Sequence, residues 1–147
     1  QSKGNKKVRN ATAKVYKGIK FRSKLELFTY IKLEEAGIKA LYEEKKYTLM
    51  EGFYFESISV EPSTRAATRG QFMSNAYKVR NITYTPDFVD PNDKWIIEVK
   101  GFANDTFPLK WKLFKKHLQD SGNDIPILYL PKNQGHVLKV IDMIKAL

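Results

Sequence analysis

"ITYTPDFVDPNDKWIIEVKG", residues 82–101, sets two carboxylates and a lysine among residues that favour strands. Asp87, Glu98 and Lys100 stand beside Ile, Val and Trp, where the burial of charge is costly. "DPND" at 90–93 is a strong turn signal, so the stretch reads as a hairpin with strands over 78–89 and 94–100. Strand alternation puts Glu98 and Lys100 on one face, and Ile97 and Val99 on the other. On the preceding strand Thr83, Thr85 and Asp87 share a face. Paired across the turn, Asp87 and Glu98 can point to the same side.

Two carboxylates held close repel each other unless a proton or a cation lies between them. Hard oxygen ligands suit Mg²⁺ or Mn²⁺. Such an ion lowers the pKa of a bound water, and Lys100 can orient that water or stabilise developing negative charge. Taken alone, E-x-K is most simply a surface ion pair of little energetic weight. "TPDF" eleven residues before Glu98 makes the arrangement more specific, because a proline inside a strand marks an edge or a distortion.

Upstream, "SKLELFTYIKLEEAG" (23–37) is the clearest helix, with Ser23 as N-cap and Gly37 as terminator. Glu26 has two readings. With Ser23 it completes a capping box, and with Tyr30 and Leu33 it lies on a face suited to pack on a sheet, where it can join a metal site. Residues 14–21 read as a short strand or turn. Residues 38–50 alternate as a strand with a charged interruption from Glu43 to Lys46, and within 51–80 the polar, turn-rich core 61–75 reads as a loop exposing Arg65 and Arg69.

Downstream, Thr106 or Asp105 can cap a helix over "PLKWKLFKKHLQD". Lys112, Lys115, Lys116 and Gln119 fall on one side of it, a row suited to phosphate contacts or simply a solvated face. "IPILYLP" (125–131) reads as a buried strand, and "GHVLKVIDMIKAL" (135–147) as a closing amphipathic helix. His117 belongs to the apolar arc and His136 to a cap or surface, so neither has triad partners. The order is α-β-β-β-α-β-α, an α/β or α+β fold with a mixed sheet flanked by helices.

The 147 residues are most simply a flexible basic arm, 1–13, and one domain, 14–147. The absence of cysteine excludes disulfides, thiolate metal sites and cysteine nucleophiles. No apolar run reaches membrane-spanning length, and an intracellular protein without a membrane partner is expected. Gln1 suggests a trimmed N-terminus, compatible with a removed targeting segment, an organellar one included. The net charge of +10 is uneven: residues 1–24 hold Lys3, Lys6, Lys7, Arg9, Lys14, Lys17, Lys20, Arg22 and Lys24 with no acid. A basic arm on a nearly neutral body points to a polyanion such as DNA, contacted by Lys14, Lys17 and Arg22, or else to a solubilising tail.

Pro86-Asp87 followed by Glu98-Val99-Lys100, after a helix bearing Glu26, resembles the PD-(D/E)xK nuclease superfamily. The expected element order also matches its restriction-endonuclease-like core. Within it, "FRSKLE" (21–26), "YEEKK" (42–46), "YTPDF" (84–88) and "EVKG" (98–101) look like the phage endonuclease I family of Holliday-junction resolvases, over about residues 19 to 120. The resemblance implies a Mg²⁺-dependent endodeoxyribonuclease, with Mn²⁺ able to substitute, that hydrolyses phosphodiesters of branched DNA in recombination. It implies that Asp87 and Glu98 bind the metal with the Val99 carbonyl, that Lys100 is catalytic, and that Glu26 completes the site, in part through water. The segment between "YEEKK" and "YTPDF" is longer here than in the phage resolvases, where it links swapped halves of a dimer. Nuclease domains of transposases share these motifs, so a sequence-specific or transposon-end nuclease is the alternative, as is a DNA-binding module with weak nicking. Cutting both strands of a junction needs two sites, and a homodimer with residues 38–62 at its interface is expected.

Overall fold

A computed structural model describes residues 14–74, 78–101, 106–122 and 124–147; the basic arm 1–13 lies outside them. In chain order a hairpin of β1 (Lys14–Tyr16) and β2 (Ile19–Phe21) leads to helix α1 (Lys24–Glu35) and strand β3 (Leu41–Tyr42). Short strands follow: β4 (Tyr47–Met50), β5 (Phe53–Tyr54), β6 (Val60–Pro62), β7 (Phe72–Ser74), β8 (Lys78–Val79) and β9 (Ile82–Tyr84). The chain closes with β10 (Phe88–Val89), β11 (Trp95–Ile97), α2 (Phe107–Asp120), β12 (Ile127–Tyr129) and α3 (Gln134–Lys145). The protein is a mixed α+β fold. No helix of the described residues is long and apolar enough to cross a membrane.

The chain divides into two compact units, a larger one up to Lys45 and from Thr85 onward, and a smaller one of residues 46–84. The smaller unit is thus an insertion within the span that the sequence reads as one domain. In the larger unit the elements α1, β3, β10, β11, α2, β12 and α3 follow the expected order α-β-β-β-α-β-α. Their sheet has the strand order β12-β11-β10-β3. β3, β10 and β11 are antiparallel, with Phe88 opposite both Ile97 and Tyr42, while β12 lies parallel to β11.

Both faces of the central strands are buried, which explains their unbroken apolar run. Phe88, Trp95, Ile97 and Val99 join Leu33 of α1 and Val137, Val140, Ile141 and Ile144 of α3 in one core. Val89 and Ile96, on the opposite face, are buried as well. The Asp90–Asp93 turn closes the hairpin: Asp90 N–H donates to Trp95 O (3.0 Å), Asp93 N–H to Asp90 O (2.9 Å) and Lys94 N–H to Asp90 Oδ2 (3.0 Å). Asn133 caps α3 by accepting from His136 N–H (2.8 Å), which places His136 in a first turn as expected. Thr106 holds the N-cap position of α2 but its side chain makes no cap hydrogen bond.

Three expectations change. The run 78–89 is not one strand, because Pro86 has no N–H to give a ladder and the chain changes partner there. Residues 82–84 pair with β4 and 88–89 with β11 and β3, so Thr83 does not share a strand face with Asp87. Residues 125–131 do not form a fully buried strand: β12 is a sheet edge, and Ile127 is exposed. The segment expected as a loop, 61–75, is strand in part: β5 pairs with β8 and β6 with β7 in an antiparallel ribbon, and residues 63–71 form the turn at its tip, with Arg65 and Arg69 exposed as expected. Its short strands are largely exposed, so burial imprints no alternation on the sequence. Gly52 permits the close approach: a Cβ there would sit 2.7 Å from Val79 O.

Candidate functional site

The site starts where the main-chain ladder stops. Beyond Phe88, Pro86 is fully buried and side chains replace backbone partners. Val99 N–H donates to Asp87 Oδ2 (2.8 Å), and Asp87 N–H donates to Glu98 Oε2 (3.2 Å). Across the other edge, Glu98 N–H donates to Tyr129 O and Lys100 N–H to Pro131 O, both at 3.0 Å. Residues 98–100 are therefore held from both sides, with their buried amides satisfied. Alternation then turns Glu98 and Lys100 away from the Ile97–Val99 core, as the sequence predicts.

Two further elements bring carboxylates to the same place. Ser23 Oγ accepts from Glu26 N–H (3.1 Å), half of the expected capping box. The Glu26 carboxylate faces inward and accepts from Tyr42 Oη–H at 2.5 Å. Phe21 stacks within 4.7 Å of Tyr42, and Tyr42 within 5.1 Å of Phe88, tying the β1–β2 hairpin to the sheet beside the site. Past Tyr42, Glu43 has a positive φ of 49°, unusual for a residue with a Cβ. Its N–H donates to Asp87 O (2.9 Å) and its carboxylate meets Arg22 Nε at 3.2 Å.

These residues enclose a polar pocket of about 320 Å³. Glu26, Glu43, Asp87 and Glu98 supply carboxylates, Arg22 and Lys100 supply cations, and Thr85 and Val99 complete the wall. Oxygens of Glu26, Glu43 and Asp87 lie within 4.8 Å of one another. Burial, then the charges of Glu98 and Glu26, push Asp87 up to about 9, against the opposing pull of the Val99 N–H. Burial and the hydrogen bond to Glu26 raise the Tyr42 phenol, so it remains a donor. Lys100 Nζ is 4.0 Å from Glu98 Oε1 and 4.7 Å over the Phe107 ring. Glu98 is 5% exposed, so E-x-K is not a surface pair here.

The structure thus brings together Glu26, Asp87, Glu98, Val99, Lys100 and Arg22 from the sequence-derived set. Lys14, Lys17, Lys112, Lys115 and Lys116 do not line the pocket. Lys17 pairs with Glu34 (2.8 Å), two turns of α1 away from Glu26. Lys112, Lys115 and Lys116 form an exposed row on α2, where Lys116 pairs with Asp120 (2.9 Å) and Lys115 lies over Trp111. Glu43 is the member of the acidic cluster that sequence reasoning missed. Its signal was the charged interruption in an otherwise strand-like run, within the "YEEKK" motif.

Comparison with curated proteins finds no match, and comparison with solved structures finds none. A family profile described as "Protein of unknown function (DUF1064)" matches residues 6–126, a span that takes in α1, the ribbon, the Asp87–Lys100 hairpin and α2. The chain belongs to the DUF1064 family.

Proposed function

We propose that this chain is a metal-dependent endodeoxyribonuclease of the PD-(D/E)xK type acting on branched DNA, with Mg²⁺ as cofactor and Mn²⁺ able to substitute. The observation that carries the reading is the convergence of Asp87, Glu98 and Lys100 with Glu26 in one polar pocket. The donor set fits a hard divalent ion: three carboxylate oxygens within 4.8 Å of one another, one of them on a side chain that burial and like charges force toward its proton. Asp87 and Glu98 would hold the ion with the Val99 carbonyl, Glu26 through water, and Glu43 as an added ligand. When bound, the ion supplies Lewis-acid charge and a water of lowered pKa.

The other roles belong to the chain's own groups. Lys100 stabilises negative charge on the attacked phosphate, held in place by its main-chain bond to Pro131 and the Phe107 ring. Arg22, paired with Glu43, neutralises a neighbouring phosphate at the pocket wall. Lys14, the arm before it and the Lys112–Lys115–Lys116 row contact backbone phosphates without reading sequence. The protein acts as a homodimer, one site per cut strand, with residues 38–62 at the interface. Support for that placement comes from Phe53, Tyr54, Phe55, Ile58 and Val60, which are large apolar residues left exposed in that segment.

Cleavage of a four-way junction beside a linear duplex of the same arm sequence, with Mg²⁺ and with EDTA, tests the reading. Junction cutting with Mg²⁺ alone, lost in Glu98→Gln, supports it. Equal cutting of the duplex replaces the branched substrate with the duplex alternative. No metal-dependent cutting of either sinks the enzyme.

A further inference from the structure

The ribbon of residues 46–84 carries a charge separation that the pocket does not use. Its outgoing limb holds Glu51, Glu56 and Glu61, while the return limb, 62–81, has no acid and holds Arg65, Arg69, Lys78 and Arg80. All four cations are exposed, and among the described residues none is paired with an acidic side chain.

The tip that presents the two arginines is built rather than loose. Ser63, 6% exposed, is its hub: its N–H donates to Gln71 O (2.8 Å) and its carbonyl accepts from Gly70 N–H (2.8 Å). Its hydroxyl lies 2.6 Å from Thr68 Oγ1 and accepts from Arg65 N–H (3.3 Å). A 3-10 turn over Ala66–Thr68 separates Arg65 from Arg69, closed by Thr68 N–H to Arg65 O (3.2 Å). A fixed backbone lowers the ordering cost of any contact the two guanidinium groups make, leaving only that of their side chains.

We propose that this return limb is a second DNA-contacting element, in which Arg65, Arg69, Lys78 and Arg80 take phosphates of the duplex backbone. The inference rests on DNA being the substrate. Guanidinium forks suit phosphate oxygens, and the return limb itself adds no acid to repel them. Such contacts position the strand and carry no base preference.

The test is the salt dependence of binding by the full chain in EDTA, measured by fluorescence anisotropy on a linear duplex. Losing two phosphate contacts makes the slope of log affinity against log salt shallower by about 1.8, at about 0.9 per contact. Arg65→Gln/Arg69→Gln should show that change, and Lys78→Gln/Arg80→Gln a similar one. Lys139→Gln/Lys145→Gln, which removes equal charge from exposed positions of α3, should keep the wild-type slope. Equal slopes in all variants, or no binding by the wild type, overturn the proposal. So does a tip variant that changes the sedimentation of the free protein but not the slope, which would assign the ribbon to a protein partner through its exposed Val60, Pro62 and Phe72. Metal-dependent cleavage by the same wild-type sample separates the two readings. Cutting with a tip-insensitive slope sinks this inference alone, and a tip-sensitive slope without cutting sinks the nuclease alone.

Discussion

Replacing Asp87 by asparagine should stabilise the metal-free protein, and the gain should grow with pH. Asparagine keeps an oxygen able to accept the Val99 N–H that now donates to Asp87 Oδ2 at 2.8 Å, so the change removes charge rather than a bond. Burial and the charges of Glu98 and Glu26 hold Asp87 up to about 9, against 3.8 for the free group. Because the folded value is the higher one, the fold must keep a proton that the unfolded chain releases. The stability tied to Asp87 is complete below the unfolded value and is lost as pH rises toward the folded one. Each pH unit inside that window costs about 1.4 kcal/mol, which sets a ceiling of ~4 kcal/mol at neutral pH. Sharing of protons with the neighbouring carboxylates brings the expected gain to ~2–4 kcal/mol. For a chain of this size that is a rise in Tm of roughly 5–15 °C. Thermal unfolding in EDTA at about pH 5, 7 and 8.5, wild type beside Asp87→Asn, measures it. A gap that stays flat across these pH values, or a variant less stable at the highest, would refute the electrostatic account of the pocket.

Mn²⁺ at about 100 times its Kd should stabilise the wild type by about 2.7 kcal/mol in the same unfolding assay, and Glu43→Gln should lose most of that increment. If Glu43→Gln responds like the wild type, Glu43 is no ligand. Tyr42→Phe should cost about 1–2 kcal/mol, since it removes the 2.5 Å donor to a buried Glu26 carboxylate; urea unfolding with an unchanged midpoint would show that bond to be inert. Lys100→Ala should retain the Mn²⁺-dependent rise in Tm while losing at least about 100-fold in cleavage rate, the scale expected for removing one preorganised electrostatic stabiliser. Full cleavage by that variant would remove Lys100 from the chemistry.

Much of the hairpin was legible from residue order. "DPND" supplies the turn groups of Asp90 and Asp93, and the alternation of Ile97, Glu98, Val99 and Lys100 sorts core from pocket without reference to any other element. Ser23 and Gly37 bound α1 by local backbone chemistry. These features depend on neighbours a few residues apart, so the sequence displays them directly. The ribbon was not legible, because strands exposed on both faces bury too little to leave a period behind. The change of strand partner at Pro86 was visible only as a distortion, since a missing N–H says where a ladder ends and not what replaces it.

By itself the sequence determined that Glu98 and Lys100 would share one side of a strand, with Asp87 able to join them across the turn, and that the chain would be basic and free of cysteine chemistry. Tertiary structure decided which other acids join them. Glu26 had two compatible local explanations, and only the packing of α1 and the Tyr42 hydroxyl turned its carboxylate toward Asp87. Glu43 reaches the cluster through a left-handed backbone turn and a main-chain bond to Asp87. The physical reason is range: alternation and capping are set within a few residues, whereas the burial and the crowding of like charges that drive Asp87 toward its proton exist only once distant segments are folded against each other.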